Sequence, residues 1–593
     1  MRHTFSAELR GLRGLLQMCV MPGLFLAMET GVCGDDGPPT LIFHHAKVVT
    51  VDAKFSIAEA IAVRDDRIVA VGSNADVRSL AGPETTSIDL KGKTLLPGLM
   101  DSHVHSAAAA VYEFDHPVPT METIADVLAY IAGRAEALED GQWINVQQVF
   151  VTRLRDQRFP TRRELDQAAP NNPVVFRTGP DASINSLALE LSGIDENFEI
   201  PAGETGQIER DPQTGELTGI IRGARRYIKL EESDREPTFD EQREQLRRLH
   251  ADYNAVGITS ISERGATDNI VKLYESLKQR DELSCRSFLC LRVDPNEPWE
   301  DVQAAILDAA RRPAHDYDPL LWLRGIKVFL DGGMLTGSAY LRRPWGVSQI
   351  YSITDPDYRG VLQIDAERLY ETAKLCLAND LQFTAHSVGD GAVHALIDAY
   401  RRIDEDDFPI RDLRPCITHC NFMSAESIAE MARRGIVADL QPIWLRQDGK
   451  TLGDHFGDER LTWFQPYRSL FEEGVTVGGG SDHMQKIGGL RSINPYNPWL
   501  GMWTTLTRVP RGLDAPLHPE QSITREQALR LYTINNAVLM FDEQNRGSLE
   551  PGKLADLVVL DRDYLTCPVD DIKDIRVEQT WLGGRQVFSS MSE

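Results

Sequence analysis

Two histidines separated by one residue, His103 and His105, end the apolar stretch LLPGLMDSHVHS at residues 95–106. Residues two apart on a β-strand point to the same side, so both imidazoles can face one metal ion. A lone pair at this spacing is weak evidence, because it often arises by chance. The meaning of the pair therefore depends on the other residues that could do chemistry.

Three further candidate ligands stand at the ends of strand-like segments. His386 follows LQFTA, His419 follows PCIT, and Asp482 ends VTVGGGSD. If these segments are parallel strands of one barrel, their carboxyl ends open at one mouth, where catalysis takes place in this architecture. Imidazole nitrogen together with carboxylate oxygen suits Zn, and also Mn, Fe or Ni. The pattern predicts a metal centre at that mouth.

Lys327 is an unusual candidate, because it lies within the apolar strand RGIKVFLDG at residues 324–332. Burying an ammonium group is costly, and burial readily lowers the pKa of a lysine. A neutral amine can add carbon dioxide and become a carboxylate able to bridge two cations. From spacing alone, an ion pair with Asp331 or another acid is the favoured interpretation.

Strand-like and helix-like segments alternate through the middle of the chain, which predicts parallel βα units. Eight candidate strands occur, the number that closes a (β/α)8 TIM barrel. They are residues 94–103, 257–263, 285–293, 324–332, 381–387, 415–420, 435–442 and 475–482.

We expect the hydrolase barrel to span residues 98–545, with an inserted α+β subdomain at about 106–256. The polar, proline-containing stretch RFPTRRELDQAAPNNP lies in that insertion. A second long connection, residues 333–362, is either a functional lid or an ordered surface loop.

Both ends of the chain have β character. AIAVRDDRIVAVG at residues 60–72 predicts a hairpin with Asp65 and Asp66 at its turn. Residues 41–97 and 546–593 are therefore expected to pair into one composite β-sandwich.

Residues 1–40 form a signal-like segment: three arginines in the first 13 residues, an apolar run at 15–28, then small and polar residues. This order predicts an exported, periplasmic protein. Cys33, followed by Gly-Asp-Asp, resembles the lipidated start of a bacterial lipoprotein, although Val32 stands where a small residue is normal. The alternative is an unprocessed N-terminus and a cytoplasmic enzyme.

The overall charge narrows the class of partner. Lysine and arginine number 63 against 89 aspartates and glutamates, a net charge of −26. This disfavours nucleic acid and anionic membrane surfaces as partners but says nothing about the chemistry. The partner that we expect is a small-molecule substrate. None of the eight cysteines forms a Cys-x-x-Cys pair, so most are expected to be small core residues. The sequence leaves open whether the protein forms a homo-oligomer.

Seven segments in a fixed order resemble the amidohydrolase superfamily, and within it the amidohydrolase 3 group that includes N-substituted formamide deformylases. They are LLPGLMDSHVH, KVFLDGG, AHSVGDGAVHALIDAY, THCNFMS, GIVADLQP, GGGSDH and GSLEPGKLADLVVLDRD. The resemblance extends from about residue 41 to 588. The chain departs from the group at residues 177–186, RTGPDASINS, where the group's usual histidine is absent.

The resemblance implies two divalent metal ions, for which zinc is expected. His103 and His105 would bind the first ion, and Asp482 would touch this ion and the nucleophilic water as general base. Lys327, carboxylated by carbon dioxide, would bridge both ions. The second ion would be held by His386 and His419.

The activity that follows is a metal-dependent hydrolase that cleaves a non-peptide carbon–nitrogen bond of the amide type with a metal-activated hydroxide. The same site could instead act on an ester, a lactone or an aryl amine, the last as a deaminase. A third alternative is an exported binding protein without catalysis.

Five further residues are candidate supports for the ligands or substrate contacts: Asp390, Asn421, Gln441, Trp444 and His483. Asp390 either orients His386 or caps the following helix. Asn421 and His483 stand where the group more often has Gln and Ala. Asp101, at the start of the first histidine motif, is a further candidate support.

Overall fold

The computed structural model describes residues 37–178, 181–201, 206–351 and 353–590. The signal-like segment and the lipid anchor at Cys33 were predicted on residues that lie almost wholly outside these ranges. Within the described ranges, no helix combines the length and the apolar character that crossing a membrane requires.

Eight parallel strands form the central sheet, and each pairs with the next one along the chain. The sheet closes where Val104 bridges His483 in parallel, so that the last strand returns to the first. The predicted TIM barrel is confirmed. Its strands are β1 Leu99–Val104, β2 Ile258–Ala266, β3 Arg286–Arg292, β4 Leu321–Phe329, β5 Gln382–Ser387, β6 Cys416–His419, β7 Val437–Leu440 and β8 Val477–Gly479.

Glycines permit the close packing at the carboxyl end of β8. A Cβ on Gly479 would lie 1.8 Å from Cδ2 of Leu531, and one on Gly480 would lie 2.7 Å from the backbone nitrogen of His103. No side chain fits at these distances. The glycine run is therefore a packing feature that brings β8 against β1, and with it Asp482 against His103.

Helices cover the outside of the barrel. Ser424 caps one of them by accepting a hydrogen bond from the backbone N–H of Ser427, and Gly435 ends it with a φ of 69°. The helices packed around the strands are Phe239–Ala255, Asp268–Gln279, Trp299–Ala309, Ala366–Ala378, Asp390–Asp406, Ala425–Arg434, Pro442–Phe456, Tyr467–Glu472, Pro498–Thr507, Arg525–Leu531 and Ile534–Leu539.

The two ends of the chain build a β-sandwich with its own buried core, which includes Phe43, Leu95 and Trp581. Asp65 has a φ of 53° at the predicted hairpin turn. One sheet has four strands in the order Arg67–Gly72, Ala60–Arg64, Leu41–His44 and Thr86–Asp89. The other has six, drawn from both chain ends, in the order Arg585–Ser589, Val577–Leu582, Leu557–Leu560, Thr94–Pro97, Lys47–Val49 and Ile57–Ala58.

An α+β subdomain follows β1, as predicted. Its helices are Ile124–Ala137, Arg162–Ala168 and Ser186–Ser192, and its five strands lie in the order Gln207–Arg210, Leu217–Arg222, Asp181–Ile184, Val174–Thr178 and Ile144–Val146. The helix Phe239–Ala255, inside the predicted range of 106–256, belongs to the barrel instead, because Leu246, Leu249 and Tyr253 lie in the barrel core.

Candidate active site

Three predicted ligands meet where β1 and β8 end. The Nε2 atoms of His103 and His105 lie 3.4 Å apart, and Oδ1 of Asp482 is 3.3 Å from each of them. Asp482 has a φ of 55°, and its backbone N–H donates to the carbonyl of His103 at 2.8 Å. One donor atom from each side chain falls within a 4.8 Å cluster, which is compact enough to hold one metal ion.

Asp101 supports this cluster from below. Its Oδ1 accepts hydrogen bonds from the backbone N–H groups of His103 and Ser481, both at 3.0 Å. Burial raises the pKa of Asp101 to about 7. The carboxyl group therefore ties the end of β1 to the end of β8, consistent with the supporting role expected from the sequence.

His386 and His419 form the second half of the site. Their ring centroids lie 4.4 Å apart, and the ring of His419 stacks on that of His103 at 5.0 Å. Burial lowers the pKa of His386 to about 3 and that of His419 well below its usual value. Neutral imidazole is the form that binds metal ions, so burial keeps both rings ready to coordinate.

Lys327 lies on β4 and is 1% exposed. Within the described residues, its Nζ has no hydrogen-bond partner and makes no ion pair. Burial lowers its pKa to about 8, which brings the neutral amine within reach near neutral pH. The positive charge of Lys327 acts on the pKa of Asp482 and of three buried histidines, His103, His386 and His419. The amine therefore lies among the predicted ligands. A buried amine with no partner among the described residues is suited to carboxylation. The product would be the bridging carboxylate that the resemblance implies.

Asp331, the alternative partner of Lys327, is engaged elsewhere. Its carboxylate accepts hydrogen bonds from the backbone N–H groups of Val388, Gly389 and Tyr340 at 3.0, 2.9 and 3.0 Å. It thus fastens the loop after β4 to the end of β5. Its Oδ1 lies 3.8 Å from Nε2 of His386.

A hydrogen-bond network that the sequence did not reveal joins the two halves of the site. Asp439, on β7, accepts from Nδ1 of His103 at 3.1 Å and from Oγ of Ser102 at 2.6 Å. Nε2 of Gln441 donates to Asp439 at 3.1 Å, and its Oε1 accepts from Nδ1 of His419 at 2.7 Å. Because an oxygen acceptor faces Nδ1 of both His103 and His419, each ring carries its hydrogen on Nδ1. The lone pair on Nε2 is then available to bind a cation.

The signal for Asp439 was present in the sequence as an acid within the apolar segment GIVADLQP. Its other buried neighbour is Arg264 on β2, which is 0% exposed and lies 3.9 Å from Asp439 through Nε. Nε of Arg264 also donates to the carbonyl of Ser102 at 3.1 Å. These two buried charges lie on different strands and meet only when the barrel closes.

The other five candidate residues differ in their contacts with the ligand cluster. The ring of Trp444 stacks on that of His419, with centroids 4.7 Å apart. Within the described residues, Nε1 of Trp444 and both amide atoms of Asn421 are buried without hydrogen-bond partners. Groups of this kind beside a site are suited to meet a ligand. Gln441, by contrast, is fully engaged in supporting His419.

His483 and Asp390 do not join the ligand cluster. Nδ1 of His483 accepts from the hydroxyl of Tyr253 at 2.7 Å, and its Nε2 donates to two backbone carbonyls at 2.8 Å. Asp390 accepts from the backbone N–H of Arg342 at 2.9 Å, and its helix begins after Gly389 without a side-chain cap. Neither contact expected for Asp390 is present, since the acid nearest His386 is Asp331.

A cavity of about 920 Å³ opens beside the second half of the site. Its lining includes Phe329 and Gly332, and one wall is formed by the long loop after β4, through residues that include Thr336, Tyr358 and Val361. The carbonyl oxygen of Gly332 lies 3.4 Å from Nε2 of His386, and the rings of Phe329 and His386 have centroids 5.5 Å apart. None of the six predicted ligands lines the cavity, so a small molecule there would be separated from His386 by Phe329 and Gly332.

The chain is similar in sequence to other proteins over most of its length. The N-substituted formamide deformylase of Arthrobacter pascens is 30% identical over 559 residues, covering 92% of this chain and 97% of that protein. The protein LONG AFTER FAR-RED 3 of Arabidopsis thaliana is 27% identical over 92% of this chain and 91% of its own length.

Among solved structures, an uncharacterized metal-dependent hydrolase from Pyrococcus horikoshii matches with a TM-score of 0.64 and 20% identity, over 89% of this chain and 99% of that one. At this identity the likeness supports the fold alone. A family model described as the amidohydrolase family matches residues 86–588. The chain, a TIM barrel with clustered histidine and carboxylate groups at its mouth, therefore belongs to the amidohydrolase family of metal-dependent hydrolases.

Proposed function

We propose that this protein hydrolyses a non-peptide carbon–nitrogen bond of the amide type at a centre of two divalent cations. The observation that carries the proposal is the buried, unpartnered amine of Lys327 among four histidines and Asp482. The formamide deformylase of Arthrobacter pascens, named for an amide substrate, supports the choice of bond.

The residues divide between the two cations as their positions suggest. His103, His105 and Asp482 would hold one, and His386 and His419 would hold the other. Carboxylated Lys327 would contribute oxygen to both. Zinc is the ion that we expect from a set of imidazoles and carboxylates. Such cations, when bound, lower the pKa of a water toward about 7 and polarise a carbonyl.

Asp482 is suited to act as the general base. Its Oδ1 faces the Nε2 atoms of both histidines, while its Oδ2 lies 3.5 Å from Nδ2 of Asn494. The carboxylate would take a proton from the nucleophilic water and pass it to the leaving nitrogen. Nitrogen needs that proton, because an amide anion is a poor leaving group.

The substrate would lie between this cluster and the cavity beside Phe329. Trp444 and Asn421 offer buried N–H and C=O groups that have no partner among the described residues, and an amide could satisfy them. Leaving such groups unpaired costs about 1–3 kcal/mol each, so a ligand that pairs them gains affinity. These two residues are the substrate contacts that we propose.

The test compares Asp482→Asn with Asp390→Asn. We expect the Asp482 variant to retain at least one metal ion and to lose nearly all amide turnover, because an amide side chain cannot carry the proton. Asp390 contacts the backbone of Arg342 and should tolerate the same change. Wild-type turnover in Asp482→Asn at normal metal content would remove Asp482 from the mechanism.

Substrate class is tested separately. Turnover measured across formamides, other amides, cyclic ureas, esters, lactones and aryl amines ranks the bonds that this site cleaves. A strong preference for esters or aryl amines would overturn the amide assignment while keeping the hydrolase. A folded protein that binds no metal and turns over none of these compounds would instead indicate a binding protein.

A further inference from the structure

A second cavity, of about 330 Å³, lies beyond the ends of β1, β7 and β8 and against the inserted subdomain. None of the six predicted metal ligands lines it. Its walls carry one acid, Glu122, against five basic side chains: Arg153, Arg446, Lys486, Arg491 and Arg511. In a chain with a net charge of −26, such a concentration of positive charge is unusual.

Two of the five basic groups are neutralised by neighbouring acids. Arg153 makes a buried, two-point contact with Asp448 at 2.8 and 2.7 Å. Arg491 pairs with Glu113 at 2.9 Å. These guanidinium groups therefore bring little net charge to the cavity.

Glu122 is shared between two arginines. Its carboxylate accepts hydrogen bonds from Arg511 on the cavity wall and from Arg155 nearby. Asp126, whose Oδ2 accepts from the backbone N–H of Glu122 at 3.0 Å, adds a second negative charge on which Arg155 acts. The charges of Arg155 and Arg511 are therefore balanced by two acids at the rim of the cavity.

Arg446 and Lys486 have no carboxylate partner within the described residues. Arg446 lies over the ring of Trp503 at 4.9 Å, and its Nη1 is 3.5 Å from the carbonyl of Val509. Lys486 is 5% exposed, and its Nζ donates to the carbonyl of Pro119 at 3.1 Å. Burial lowers the pKa of both groups, and the charge of Arg511 lowers that of Arg446 further.

We propose that this cavity binds a small anion bearing phosphate or carboxylate groups, held by Arg446 and Lys486 with Arg511 at the rim. Arg446 forms no ion pair within the described residues, and Glu113, the acid whose charge acts on Lys486, is already paired with Arg491. Partly buried cations of this kind are stabilised by an anion that replaces lost hydration. Guanidinium groups offer paired donors that match carboxylate and phosphate oxygens. The volume is at the small end of the range for ligand pockets, roughly 300 to 1,000 Å³.

The proposed site is connected to the metal-ligand cluster by hydrogen bonds. Arg153 donates to Oδ1 of Asn494 at 2.9 Å, and Nδ2 of Asn494 donates to the carbonyl of Asp482 at 2.8 Å. The carbonyl of Lys486 also accepts from Nε2 of His483 at 2.8 Å. The anion could therefore be the charged group of a substrate or a separate ligand, and kinetics distinguish the two.

The test titrates inorganic phosphate into the metal-loaded enzyme and measures binding by calorimetry. We expect saturable binding that weakens with salt, and roughly tenfold or greater loss of affinity in Arg446→Gln and in Lys486→Gln. The matched control is Arg460→Gln, because Arg460 is also part-buried over an aromatic ring, that of Phe456 at 4.3 Å, and donates to a carbonyl at 2.6 Å. Unfolding temperatures verify that each variant is folded.

Each outcome decides the proposal. Absence of saturable binding overturns it, as does binding that survives both cavity substitutions, since phosphate would then sit on the metal ions or on the surface. Phosphate that raises KM at constant kcat would be occupying the place of a substrate anion, whereas a changed kcat indicates a separate ligand. Calorimetry does not require turnover, so failure of the proposed hydrolysis leaves this result readable.

Discussion

Replacing Asp439 by Asn tests whether the network beneath the site positions the metal ligands. The substitution keeps the volume of the side chain and removes its negative charge. The Asn side chain keeps one acceptor oxygen and replaces the other with an NH2 donor, so either Nδ1 of His103 or Nε2 of Gln441, which orients His419, loses its acceptor at 3.1 Å. At least one histidine of the site therefore loses its support, and the negative charge is removed behind both.

Two magnitudes follow from this geometry. Loss of a carboxylate behind a metal-bound histidine weakens metal binding roughly 10- to 100-fold, which is about 1.4 to 2.8 kcal/mol. Arg264 also loses its buried counter-charge, a change that typically destabilises by about 3 to 5 kcal/mol. Since the Arg264–Asp439 distance is 3.9 Å, longer than a hydrogen bond, we expect the lower end of that range.

The assay measures metal affinity by competition with a chelator and unfolding by denaturant for each variant. The matched control is Asp556→Asn, which breaks a buried pair with Arg286 at 2.7 and 2.9 Å without touching a ligand. We expect both variants to lose stability and only Asp439→Asn to lose metal. Unchanged metal affinity and kcat/KM in Asp439→Asn would refute the positioning role.

Two further predictions concern buried titratable groups. Lys327→Ala should lose metal and activity, and acetate or propionate should restore part of both, because a small carboxylate can take the place of the carboxylated lysine. If Lys327→Met instead raises the unfolding temperature at unchanged metal content, the lysine is an ordinary buried amine. His250 is 0% exposed, its ring nitrogens lack partners within the described residues, and burial lowers its pKa to about 3. In the unfolded chain the pKa of His250 is near 6.5, so the unfolded chain binds a proton at a higher pH than the folded protein does. Stability should fall as pH drops from about 6.5 toward 3, by up to about 1.4 kcal/mol per pH unit. His250→Phe should flatten this slope in denaturant unfolding measured against pH, and an unchanged slope would contradict the assignment.

The sequence predicted the barrel because its signals are local. Each of the eight strands is a short apolar run that needs only its own residues to be recognised, and the observed strands overlap all eight predicted segments. The turn at Asp65 follows from backbone preferences in the same way. The boundary between the inserted subdomain and the barrel was not predicted correctly, because the helix Phe239–Ala255 packs on the barrel. The amphipathic pattern of a helix does not show which hydrophobic core it covers.

The sequence by itself determined that His103, His105, His386, His419 and Asp482 stand at strand ends, and parallel strands bring such ends to one mouth. Only the tertiary structure decided how each side chain is used. It left Lys327 without a hydrogen-bond partner in the part of the chain that the structure describes. It also assigned Asp331 to backbone N–H groups, and placed Asp439 behind two histidines from different strands. The reason is physical: hydrogen bonds between distant residues and the burial that shifts pKa values depend on packing, which a linear pattern does not contain.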